Sequence, residues 1–146
     1  SELAEHYDVG ADLHSATSYK RLREQALSTE RWNRLHPDEP TRVPRVTELL
    51  DGSGPVVAVT DFMKTVPDQI ARWVPADRSF TPLGTDGFGR SDTREALRRH
   101  FEVDAPHLVV ATLAALAAHG DIKGEAVTDA ISRYDLDPDA VDPRLA

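Results

Sequence analysis

The densest run of chemically versatile residues is Gly84-Thr85-Asp86-Gly87-Phe88-Gly89-Arg90-Ser91-Asp92. Three glycines within six residues allow positive φ and close backbone approach. Asp92 reads as the N-cap of the following helix, its carboxylate accepting from the amide of Arg94 or Glu95. That would set a positive helix end beside the cation of Arg90, the elements of an anion site. The residue order argues otherwise. It is neither a P-loop nor G-x-G-x-x-G, and Asp86 would repel an anion. A tight structural turn is the stronger reading. Arg90, Asp92 and Arg94 then form a local ion-pair set, worth ~0–1 kcal/mol per pair if exposed.

Six histidines are present: His6, His14, His36, His100, His107 and His119. None forms H-E-x-x-H or another short metal spacing. His100 and His107 stand seven apart, but Val103-Asp104 between them reads as a break, so no shared helical face follows. Imidazole titrates near neutrality, yet no Ser, Cys or carboxylate partner set accompanies it. No G-x-S-x-G elbow occurs, and the carboxylates show no paired acid/base arrangement. Trp32, flanked by arginines in Glu30-Arg31-Trp32-Asn33-Arg34, could be a cation–π platform. Such a ring more often anchors a helix end or an interface.

The elements that must hold these residues follow from periodicity. Residues 1–7 read as the end of a helix, and Val9–Leu13 has the alternation of a short strand. Ser15, Thr17 and Ser18 offer N-caps for a helix over about 19–35. Three prolines within 36–44 exclude a helix interior and give a semi-rigid loop. Val46–Leu50 predicts one helical turn.

Val56-Val57-Ala58-Val59-Thr60 is the best strand, and its lack of alternation predicts burial on both faces. A helix over about 64–73, broken or delayed near Pro67, leads to a second strand at Phe80–Leu83. The β-α-β-α order makes the two strands parallel with a right-handed crossover. The helix from Asp92 turns Leu97 and Phe101 inward. Asp104 caps a strongly apolar helix through His119, ended by Gly120. A last helix covers about 125–134.

The composition bounds the rest. A chain of 146 residues suits one domain. A net charge of −8 argues against a nucleic-acid or anionic-membrane surface. Without cysteine there is neither a disulfide nor a thiolate zinc site. No apolar run approaches the ~20 residues of a membrane helix, and the start lacks the regions of a signal peptide. A cytoplasmic location is expected. From Gly120 onward seven Asp or Glu face three Lys or Arg, which reads as a solvated acidic face.

Several collinear blocks carry a resemblance. They are Ser15-Ala16-Thr17-Ser18, Glu30–Pro37, Arg42-Val43-Pro44, Thr60–Lys64, Val74–Asp77, Thr85–Asp92, Leu97–Asp104 and Asp142–Ala146. Nearly end to end, the chain resembles the carboxy-terminal, transketolase-type domain of the homodimeric bacterial pyruvate dehydrogenase decarboxylating component, a thiamine-diphosphate enzyme.

The resemblance implies a three-layer α/β/α fold with a mostly parallel mixed sheet of about five strands, the first of them absent from this segment. It implies one carboxy-terminal domain over 1–146, with a proline-rich loop at 36–44 and an acidic tail at 135–146. A fragment or one part of a split chain is therefore expected. The parent reaction would be decarboxylation of pyruvate and reductive acetylation of lipoyl groups. Implied partners are the enzyme's other domains, a second copy in a homodimer and the dihydrolipoyl acetyltransferase component. Thiamine diphosphate and magnesium lie between the family's first two domains. No catalytic, cofactor or metal residue is therefore carried over to this chain. Asp86, Arg90, Asp92 and Trp32 stand as structural or interface candidates, with helix 104–119 and loop 36–44 as contact surfaces. A stand-alone interaction module, or a small-ligand α/β domain using the elbow, are the alternatives.

Overall fold

The computed structural model describes residues 1–146. Its elements run α1 (Glu2–Tyr7), α2 (Tyr19–Leu35), α3 (Arg45–Leu49), β1 (Val56–Val59), α4 (Thr65–Asp68), a 3₁₀ turn (Ala71–Trp73), β2 (Phe80–Leu83), α5 (Arg94–His100), α6 (Ala105–His119) and α7 (Glu125–Arg133). The strands pair in parallel, with Val56 opposite Phe80 and Val59 opposite Leu83, as the β-α-β order requires. Val56 N–H donates to Ser79 C=O and Thr60 N–H to Leu83 C=O, closing the ladder at both ends. The α/β class stands. The sheet, however, has two parallel strands where the resemblance implies about five, mixed in direction.

Local chemistry explains most boundaries. Ser18 caps α2, its Oγ accepting from Arg21 N–H at 3.2 Å. Asp104 caps α6 by accepting from the His107 amide, and Gly120 ends it at φ 92. Pro67 sits in the single turn of α4; the predicted helix over 64–73 is therefore two short turns rather than one rod.

Three readings are corrected. Val9–Leu13 forms no strand: Asp8 turns into the left-handed region at φ 54, no neighbouring strand meets the segment, and Leu13 is exposed. The strands are half-buried rather than covered on both faces, because each has only one neighbour and Val59 reaches solvent. Helix α5 starts one residue later than expected. Thr93, not Asp92, is its N-cap and accepts from Ala96 N–H, while the Asp92 carboxylate accepts from the Thr93 amide at 2.7 Å.

Two apolar clusters hold the fold. Ala26 of α2, Val46 of α3, Ile70 and Trp73 form the first, with Tyr19, Leu22 and Phe80 packed around them. Val109 and Leu113 of α6 with Ala130 of α7 form the second, against Leu3, Tyr7 and Val9. Leu113 is wholly buried, the central contact of its helix. Helix α6 also lies against both strands. Arg99 donates to the carbonyls of Tyr134 and Asp135, at 2.8 and 2.6 Å, and so ties α5 to the end of α7.

The stretch Arg94–His119 is long and apolar enough to cross a membrane by length and composition. It is two helices, however, broken between Phe101 and Asp104, where Glu102 takes φ 58.

Candidate functional site

The elbow after β2 is zipped to the loop after β1. Thr85 N–H donates to Phe62 C=O and Thr85 Oγ1 to Asp61 C=O, both at 2.9 Å. Asp86 Oδ1 accepts from the Lys64 amide at 3.0 Å. Asp86 is thus a backbone clamp between the two strand ends. Gly84 is required by this contact: a Cβ there would lie 2.6 Å from Phe62 O and 2.8 Å from Lys64 N. The carboxy-terminal tail closes over the same elbow. Gly87, at φ 110, lies under the Pro143 carbonyl. Arg144 is bound to Asp142, whose carboxyl it holds down at about 2.

An open cleft of about 600 Å³ opens beyond the carboxyl ends of both strands. Asp61, Thr85, Arg90, Asp92, Arg94 and Arg98 form its polar lining, with Leu97, Phe101 and Val103 as its apolar part. The local ion-pair set read from sequence is not what forms. Arg94 and Arg98 instead share Asp61, at 4.0 and 3.9 Å, across from another loop. Arg90 Nη1 lies 3.1 Å from His100 Nδ1, a contact that needs an unprotonated ring nitrogen as acceptor. The sharing of Asp61 had no sequence signal, because 33 and 37 positions separate the partners.

Trp32 stands apart from this cleft, and both faces of its ring are taken. The Arg42 guanidinium lies 3.5 Å from the ring centroid on one side. His36 stacks against the ring at 4.4 Å and 9°. Asn33 exchanges two hydrogen bonds with the Arg42 backbone, each 2.9 Å. Trp32 therefore pins the proline loop to the end of α2.

No group of three or more His, Cys, Asp or Glu side chains gathers to hold a metal ion. Magnesium wants several hard oxygen ligands, and the cleft instead assembles guanidiniums. These residues do not fit a magnesium ion.

The elbow, the parallel strand pair and the flanking helices define the class. Residues 1–104 match the family described as "Transketolase-like TK C-terminal domain", and the chain belongs to that family. It is 50% identical over 144 residues, 99% of its length, to the pyruvate dehydrogenase E1 component of Escherichia coli strain K12. Identity to the corresponding protein of Pseudomonas aeruginosa is 47% over 97% of this chain, and to that of Mycolicibacterium smegmatis 46% over 92%. The chain spans only 14–16% of the length of these relatives.

Proposed function

We propose that residues 1–146 are the carboxy-terminal domain of a pyruvate dehydrogenase decarboxylating component. The whole enzyme would use thiamine diphosphate and magnesium to decarboxylate pyruvate and to acetylate lipoyl groups of its acetyltransferase partner in the cytoplasm. This domain supplies surface, not reacting groups. The carrying observation is the 50% identity that runs through 99% of the chain.

The surface supports that role. The chain exposes 9802 Å², against roughly 7,400 Å² for a compact monomer of its mass. Phe62, Met63, Phe88, Val141 and Leu145 are large, apolar and exposed. All five lie on the three segments that meet at the elbow, and aromatic and Met side chains are enriched at protein interfaces. Those segments, the proline loop 36–44 and α6 are the surfaces offered to other domains or to a second copy. The acidic tail 135–146 folds back on the elbow through Pro143 and leaves Asp135, Asp137 and Asp139 to solvent.

Intact mass spectrometry of the native polypeptide tests the assignment. The domain reading expects a species about six times heavier than this 16.1 kDa chain, in line with the relatives' length. A native species of 16.1 kDa would overturn it.

A further inference from the structure

The cleft at the elbow gathers three arginines in a chain of net charge −8. Arg90, Arg94 and Arg98 line it from two sides, and only Asp61 and Asp92 oppose them. The Asp92 carboxylate already accepts from the Thr93 amide. Asp61 is shared between two guanidiniums at the outer limit of ion pairing. Arg94 donates no hydrogen bond, and Arg98 only a long one of 3.5 Å to Val103 C=O. Their forked donors are therefore largely unspent, and a guanidinium fork matches the oxygens of a phosphate.

Two further observations fix the ligand class. Leu97, Phe101 and Val103 give the same cleft an apolar part beside the cations. Its place, beyond the carboxyl ends of parallel strands, is where open α/β sheets take ligands.

We infer that this cleft binds a small phosphorylated molecule with a compact apolar body. The phosphate is held by Arg90, Arg94 and Arg98, and the body lies against Leu97 and Phe101. Asp61 pairs with Arg94 and Arg98 and yields them when the phosphate enters.

Phenyl phosphate is the probe, because it joins one phosphate to one ring. Calorimetric titration should use the full-length polypeptide that carries this domain, saturated with its own cofactor and held at fixed ionic strength. Saturable binding is expected, tighter than that of inorganic phosphate or of phenol alone. Arg98→Gln should weaken it about ten-fold or more, the loss of a charged hydrogen bond. Asp61→Asn, which removes the competing carboxylate, should tighten it. No saturable binding to the unsubstituted protein overturns the proposal. So does equal affinity in Arg98→Gln, or weaker binding in Asp61→Asn when its circular dichroism matches wild type. Failure of phenyl phosphate alongside Arg98-dependent binding of an acidic peptide would assign the cleft to a protein partner instead.

Discussion

The carbonyl oxygen of Pro143 lies so close over Gly87 that a Cβ on the glycine would sit 2.3 Å from it. Two segments 56 positions apart thus fix each other, and Gly87 must also hold φ 110. Gly87→Ala adds both a clash and a strained backbone. The expected cost is about 1–3 kcal/mol, with the tail released from the elbow. Chemical denaturation gives the first number and protease sensitivity of residues 137–146 the second. An unchanged midpoint and an equally protected tail would show that the contact does not matter.

Glu30 joins α2 to the 3₁₀ turn. It accepts from Trp73 Nε1 at 2.8 Å and from Arg72 Nη2 at 2.7 Å. The indole N–H, with help from Arg72, holds its carboxyl below the ordinary 4.5 despite some desolvation. A lowered folded value means that the stabilisation is complete above pH 4.5 and fades as pH falls through the folded value. Glu30→Ala also orphans the indole N–H of a buried tryptophan, a cost of about 1–3 kcal/mol. Urea unfolding at pH 7 should show that loss. At pH 3 the gap between wild type and variant should narrow.

Asp104 is a cap with two further partners. Its carboxylate accepts from the His107 amide at 3.1 Å, meets the His107 ring at 2.5 Å and faces Arg99 at 3.4 Å. Burial raises its carboxyl, but the bonds from His107 and the charge of Arg99 outweigh that and leave it lowered. Asp104→Ala removes the cap, at about 1–2 kcal/mol. Asp104→Asn keeps an accepting oxygen at the amide but loses the charge, so it should fall between wild type and alanine. Thermal unfolding of the three proteins checks the order.

Tyr134 Oη donates to Glu2 Oε2 at 2.8 Å, tying α7 to α1. Desolvation, and then the bond to Glu2, raise the phenol to about 12. A raised folded value makes this tie complete below the ordinary 10 and lost as pH rises through about 12. Between those values wild type should lose stability that Tyr134→Phe does not have to lose. Parallel pH profiles of the two would fail the account.

Helix α6 was legible almost to the residue because its caps, Asp104 and Gly120, are strong and isolated, and α2 because its helical spacing starts directly after the cluster Ser15, Thr17 and Ser18. The parallel strand pair followed from element order alone. Two adjacent capping residues, Asp92 and Thr93, made the start of α5 ambiguous, and only backbone geometry decides between them. Val9–Leu13 showed strand alternation with no strand to pair with. The cleft was half legible. Arg90 and Asp92 stood out beside three glycines, but Asp61 reaches it from a distant position by tertiary folding. The tail's return to Gly87 left no trace in local sequence.

The central claim is that this domain serves a pyruvate-decarboxylating enzyme without itself reacting. Release of labelled carbon dioxide from [1-¹⁴C]pyruvate tests it most directly, on the full-length polypeptide and on residues 1–146 alone. Each would be given thiamine diphosphate and magnesium. The account predicts cofactor-dependent release from the full-length polypeptide and none above background from the domain. Turnover by residues 1–146 alone, or none by the full-length polypeptide, would contradict it.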